Sequence, residues 1–280
     1  MAEGDNAPFT GTAAQARMLN QAFWDERVAL HLASDLYDLA GFRAHRDRLR
    51  PFEIAEVGEV TGRRLAHLQC HFGMDTLSWA ARGAQVSGLD FAPAAIEAAR
   101  RLAAELELPA RFVVADVLDA PAALGAAAFD IVYTGFGALV WLDDLRRWAD
   151  AVAALLVPGG YLYLAEFHPV AAILDETEGV RVVADYFGAG PRRWETSGSY
   201  ADRQAPTTAN STVQHEHTLG EVVSAVAGAG LRVEFLHEHP VTLFPRSRNL
   251  RRGADGLFRT PAGTPQVPMS YTMRAAKPPA

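Results

Sequence analysis

The stretch RLAHLQCHFGMDTLSWAARGAQVSGLDFAPAAIEAAR, residues 64–100, decides the fold. RLAHLQC is a short apolar run of strand length. HFGMD turns the chain, with Gly73 free to bring the backbone close to a ligand and Asp75 placed to cap the next helix. TLSWAARG reads as that helix, and Gly83 stands just past its end, where a left-handed residue is favoured. AQVSGLD is a second strand ending at Asp90. PAAIEAARRLAAELEL follows as a helix with Pro93 in its first turn, where a missing N–H loses no hydrogen bond. Strand, helix, strand and helix in this order predict parallel βαβ units.

The alternation continues downstream. ARFVVAD (110–116), FDIVYTG (129–135) and YLYLAEF (161–167) read as strands. DDLRRWADAVAALLVPGG reads as a helix with an Asp start and a Pro-Gly-Gly stop. LGEVVSAVAGAG (219–230) is a further helix, and LRVEFLHEH and PMSYTMRAAK are the last two strands. Between them, RVVADYF, WETSGSYA and STVQHEH are strand-like pieces broken by Gly and Pro. Upstream, residues 14–57 carry apolar residues at helical spacing up to and beyond Pro51. The pattern predicts an α/β fold with a doubly wound, mostly parallel, Rossmann-like sheet of seven strands. Residues 1–280 read as one domain: a helical N-terminal lid (1–57), a core (58–168 and 219–280) and an inserted β-rich cap (169–218). Long insertions in compact domains are usually functional.

Composition narrows the function. The 280 residues are 49% hydrophobic, and no run of about 18 apolar residues offers a membrane span. The opening MAEGDNAPFT lacks the basic and apolar regions of a signal peptide, so the expected location is cytoplasmic. The formal net charge of −7 and sequence pI near 5.7 argue against a nucleic-acid partner, which needs a basic footprint. Arg246, Arg248, Arg251 and Arg252 form a local basic cluster that reads as a solvated loop. The single cysteine, Cys70, excludes an internal disulfide. The sequence contains no G-x-S-x-G elbow, P-loop, HExxH or CxxC, which leaves hydrolase, phosphotransferase and zinc chemistries without support.

Ligands of open α/β sheets bind at the carboxyl ends of the strands. Asp90 closes the second strand about 20 residues past the first loop, the separation at which an acid accepts from ribose hydroxyls. Asp116 closes the third strand, placed to accept from an adenine amino group, with Val117 and Leu118 against the ring. Two acids near a ligand disfavour a phosphate and tolerate a sulfonium cation. CHFGMD lacks the G-x-G-x-x-G that a nicotinamide dinucleotide requires.

On these residues the chain resembles the class I S-adenosylmethionine-dependent methyltransferases. Residues 67–100 are similar to their first two motifs, and the likeness is greatest to a bacterial branch in which HLQCHFG replaces the usual E-x-G-x-G-x-G. ADVLD (115–119) resembles the adenine motif, FDIVYTGFGAL (129–139) the fourth-strand motif, and LLVPGGYLYLAEFHP (155–169) the run into strand five. The resemblance implies that Gln69, Cys70, His71 and Gly73 line the methionine part of S-adenosylmethionine. It implies that Asp90 and Phe91 hold the ribose and flank the adenine, that Asp116 and Val117 contact the adenine, and that Thr134 and Gly135 lie beside the methionyl amino group. It implies methyl transfer to O or N of a small molecule, in secondary metabolism, with S-adenosylhomocysteine as product. The alternatives are a non-methylating enzyme or a binding protein on the same fold and cofactor.

A hydroxyl acceptor needs a base, and histidine suits that need near neutral pH. His168, after strand five in AEFHP, is the first candidate; His215 and His217, two apart and so on one face of a strand, come second. Those two have no third ligand, and no metal is expected. Glu166 and, from the helical and inserted segments, Tyr37, His31 and Tyr200 are candidates to orient or cover the acceptor. Trp24, Phe136, Trp141, Tyr186 and Trp194 supply further aromatic material. The expected assembly is a monomer or homodimer without membrane contact.

Overall fold

The computed structural model describes residues 6–188 and 190–280. A short strand β1 (Asn6–Pro8) precedes three helices, α1 (Ala13–Leu32), α2 (Leu39–His45) and α3 (Pro51–Val57). α1 starts at Thr12, whose side chain accepts from Gln15 N while the Gln15 side chain accepts from Thr12 N, a reciprocal cap that satisfies two otherwise free donors. Pro51 opens α3. The alternating core follows: β2 (Arg64–Leu68), α4 (Met74–Ala81), β3 (Gln85–Asp90), α5 (Pro93–Glu105), β4 (Ala110–Val114), α6 (Ala120–Leu124), β5 (Phe129–Thr134), α7 (Leu145–Leu155) and β6 (Leu156–Phe167). The inserted segment holds α8 (Pro169–Ala172), β7 (Pro191–Glu195) and β8 (Ser211–His215). The chain ends with α9 (Leu219–Gly228), β9 (Arg232–His239), β10 (Val241–Thr242), β11 (Arg251–Arg252), β12 (Phe258–Arg259) and β13 (Ser270–Ala276).

The central sheet has seven strands in the order β4-β3-β2-β5-β6-β13-β9. Its first five strands are parallel, and β13 runs antiparallel between β6 and β9. Both faces are covered, which is why the central strands are nearly continuous apolar runs. On one face Leu68, Leu89, Val132 and Leu164 pack with Trp148 and Val152 of α7 and Val226 of α9. On the other, Leu65, Ile131, Tyr133 and Tyr163 pack with Trp79 of α4 and Val57 of α3. The strand tips left between these layers form the rim where a ligand can reach the backbone.

The N-terminal and inserted segments are joined to each other. β1, β7 and β8 form a separate antiparallel sheet. α1 is fastened to it by two buried side chains. Asn20 donates to Val213 O and accepts from Val213 N, both at 2.8 Å, so its amide imitates one rung of a strand ladder. Arg27, 0% exposed, donates to Gly198 O, Ala209 O and Thr196 O at 2.8–3.0 Å.

Three local expectations differ from the structure. Gly73, not Asp75, occupies the cap of α4; Asp75 lies within the first turn, 3.6 Å from Arg50. RVVADYF is not a strand beyond one bridge, Val182 with Leu174, because the Asp175 carboxylate gathers the N–H groups of Thr177, Glu178, Val180 and Arg181 into a loop. Within the expected core span 219–280, residues 240–268 leave the central sheet; β10, β12 and β11 form a small sheet of their own. Pro240, Pro245, Pro261, Pro265 and Pro268 punctuate that segment, and proline cannot donate to a ladder.

Candidate functional site

The loop after β2 has the backbone of a glycine-rich turn without its glycines. Gln69, His71 and Gly73 all have positive φ, at 55°, 52° and 79°. They stand at the three glycine positions of an E-x-G-x-G-x-G pattern laid over HLQCHFG. A left-handed non-glycine residue costs about 1–2 kcal/mol, and such strain persists where surroundings fix it, commonly at functional sites. Alanine at Gly73 is disfavoured twice, by its φ of 79° and by a Cβ that would lie 2.7 Å from the Phe112 ring, which would have to move.

The strained turn directs its groups specifically. The Gln69 amide donates to Ala138 O at 2.9 Å, while its Oε1 is buried with no hydrogen-bond partner among the described residues. Thr134, at the tip of β5, buries an equally partnerless hydroxyl. His71 N donates to the Asp90 carboxylate at 2.8 Å, and Ala92 N to its other oxygen at 3.0 Å. Burial raises the pKa of Asp90 to about 6. Cys70 is a core residue: burial and the nearby Asp90 push its thiol well above the ordinary value, which removes thiolate reactivity. Gly135 lies beside the rings of Tyr133 and His67.

A narrow cleft of about 50 Å³ runs between α1 and the strand tips. Ala13, Ala16, Arg17 and Asn20 form one wall; Gln69, Leu89, Phe91, Asp116, Val117 and Leu118 form the other; Trp141 and His215 close one end. Asp116 accepts from Leu118 N at 2.9 Å and faces Arg17 at 3.2 Å. Gln21 donates to Phe91 O at 2.6 Å. Of the strand-tip candidates, Gln69, Phe91, Asp116 and Val117 thus share one cleft, with Asp90 immediately behind Phe91.

Beyond the first loop lies a cluster of rings from three segments. His31 Nδ1 is 3.3 Å from His71 Nε2, and His31 Nε2 is 2.6 Å from Ser199 Oγ. Tyr37 stacks on His31, its hydroxyl hydrogen-bonded to that of Tyr200. Trp24 meets both histidines edge-on. Burial lowers the pKa of His31 to about 4; burial, then His31 and Arg48, take that of His71 well below its ordinary value. Both imidazoles are neutral near pH 7.

The strand-five candidates have other attachments. Glu166 accepts from four backbone N–H groups, of Gly137, Phe167, Ala138 and Leu139, at 2.5–2.9 Å. It thereby holds the loop whose Ala138 carbonyl receives Gln69. His168 caps α8: its Nδ1 accepts from Val170 N at 3.1 Å, and Nε2 is 2.9 Å from the Glu238 carboxylate. The cap fixes the proton on Nε2, and the ring, 3% exposed, does not line the cleft. His217 Nε2 bonds Leu142 O at 2.9 Å, and His215 stacks on His217. No group of three or more His, Cys, Asp or Glu among the described residues is arranged to hold a metal, and none of the helices is long and apolar enough to cross a membrane.

Sequence patterns alone passed over Arg17, Asn20 and Arg27. A signal existed: Asn20 and Arg27 are seven apart, two helical turns, on the face that α1 buries.

A methyltransferase-domain family matches residues 66–162, a span that contains every strand-tip candidate from Gln69 to Gly135. Over 166 residues the chain is 31% identical to a ubiquinone biosynthesis O-methyltransferase of Xanthomonas axonopodis pv. citri, covering 58% of this chain and 68% of that one. Over 95 residues it is 42% identical to a demethylmenaquinone methyltransferase of Thermus thermophilus, covering 32% of this chain and only 39% of that one. A crystal structure of an S-adenosylmethionine dependent methyltransferase from Mesorhizobium loti superposes with TM-score 0.57 at 23% identity, over 81% of this chain and 96% of the other. A 1,6-didemethyltoxoflavin-N1-methyltransferase from Burkholderia thailandensis, crystallised with 1,6-didemethyltoxoflavin and S-adenosylhomocysteine, gives TM-score 0.57 at 16% identity over 99% and 97%. At these identities the two structures share the fold.

Proposed function

The chain belongs to the S-adenosylmethionine-dependent methyltransferases, and from that premise we propose that it methylates an oxygen or nitrogen of a small molecule. The observation that carries the cofactor placement is the pair of buried acceptors without partners, Gln69 Oε1 and Thr134 Oγ1, set beside a carboxylate at each of the next two strand tips. Buried polar atoms are normally satisfied. A methionyl ammonium supplies the donors that these two oxygens lack, and ribose hydroxyls and an adenine amino group match Asp90 and Asp116. The string HLQCHFG supports membership of the bacterial branch that carries it.

S-adenosylmethionine brings a methyl carbon activated by positive sulfur; the chain's part is position, dryness and a place for the proton. Gln69, Thr134, Asp90 and Asp116 would fix the cofactor's two ends. The joined N-terminal and inserted segments would act as one lid that excludes water. A hydroxyl acceptor needs its proton removed; His71 and His31 are neutral near pH 7 and so free to accept one, though as weak bases because burial lowers their pKa. His168 is committed to the α8 cap and Glu238, so the base role is better assigned to that pair. The O-methyltransferase name of the Xanthomonas relative favours oxygen over nitrogen.

Calorimetric titration separates this from other readings. S-adenosylhomocysteine should bind and NADH should not, and labelled S-adenosylmethionine should pass its methyl to an acceptor. Tight NADH binding without S-adenosylhomocysteine binding would overturn the proposal.

A further inference from the structure

The arginine cluster at 246–252 reads from sequence as a solvated loop, yet one member is drawn inward. The guanidinium carbon of Arg246 lies 5.9 Å from the Phe167 ring centroid, and burial pulls its pKa down. It makes no hydrogen bond or ion pair with any described residue. Glu216, Glu166 and Glu176 attract it only through space: Glu166 is engaged by backbone N–H groups, and the other two are exposed. Arg246 is half-buried, and a guanidinium without a protein partner keeps its five N–H donors for a ligand.

That space is lined by aromatic rings. Phe136 lies 5.3 Å from Phe167, Phe167 lies 5.0 Å from Phe244, and Phe244 stacks on Tyr200 at 6.4 Å. Tyr200 in turn touches His31 and Trp24, which pack on His71 of the cofactor loop. The row runs from the strained turn to the guanidinium.

We propose that Arg246 binds the carboxylate of an aromatic acid, the methyl acceptor, whose ring lies along Phe167 and Phe244. The proposal rests on the methyltransferase function proposed above. A planar guanidinium fork matches the two oxygens of a carboxylate. Three surrounding glutamates favour a monoanion over a phosphate dianion.

The test uses the full chain saturated with S-adenosylhomocysteine, titrated with para-hydroxybenzoate, para-hydroxycinnamate and their neutral amides. The acids should bind about 10- to 100-fold more tightly than the amides, the worth of a charge-assisted bond. Arg246→Gln should erase that preference, and Arg246→Lys should keep part of it; melting temperatures report whether each variant is folded. Equal binding of acids and amides, no binding of either acid, or an acid preference that survives Arg246→Gln overturns the proposal. If the wild-type chain fails to bind S-adenosylhomocysteine, the methyltransferase reading falls and this falls with it. If it binds and the acids show no preference, only this proposal falls.

Discussion

Gln69→Gly should make the free protein more stable and its cofactor site worse. Gln69 is left-handed at φ 55°, a strain of about 1–2 kcal/mol that glycine does not carry. The substitution also removes a buried acceptor without a partner, worth a further ~1–3 kcal/mol. Against these stand the lost bond to Ala138 O, about 1 kcal/mol, and the greater freedom of glycine in the unfolded chain, about 0.5–1 kcal/mol. The balance is a gain of about 1–2 kcal/mol, or ~2–3 °C in Tm for a chain of this length. Gln69→Ala keeps the strain and should gain less. Calorimetric Kd values for S-adenosylhomocysteine should rise about tenfold or more in both variants, because a charge-assisted bond to Oε1 is lost. A Gly variant less stable than wild type, with Kd unchanged, would refute the reasoning.

Asp90 ionises near 3.8 as an ordinary aspartate and near 6 in the fold, so the folded protein holds an extra proton between those values. Its contribution to stability therefore falls as pH rises from about 4 to 6 and is flat above. Cofactor binding through the ionised carboxylate should weaken about tenfold per unit below pH 6, and a Kd for S-adenosylhomocysteine that is flat from pH 7 to 5 would contradict this. Arg27→Met removes the donors that tie α1 to the inserted segment and should cost about 3 kcal/mol or more, seen as a lower urea midpoint and faster proteolysis near residues 196–210; an unchanged midpoint would show that the tie is dispensable. His168→Gln, which keeps an acceptor for Val170 N, should leave kcat within about threefold of wild type, whereas a general base contributes about 100-fold or more; a loss of that size would return the base role to His168.

The alternation from Arg64 to Phe167 was readable because each element there has one dominant period or run. Gly83 and Pro93 marked helix ends by local stereochemistry alone. The antiparallel seating of β13 between β6 and β9 has no local signature, since strand direction is set by partners. The same holds at the site. The strand-tip positions of Asp90 and Asp116 are legible because strand ends are visible in sequence, while the attachment of Glu166 to backbone N–H groups depends on a loop 27 to 29 residues away. His168 looked free as a letter and is committed as a side chain. Arg246 reads from sequence like its exposed neighbours because its approach to Phe167 is tertiary. Gln69 and His71 break the local preference of their φ values, and sequence rules fail most at strained functional sites.

Crystals of the full chain grown with S-adenosylhomocysteine test the central placement most directly. Density should show the amino-acid end at Gln69 and Thr134, the ribose on Asp90 and the adenine along Asp116 and Val117. A complex with the ligand bound elsewhere, or with α1 still closed on Asp116 and Gln69 while the ligand sits outside, would contradict it.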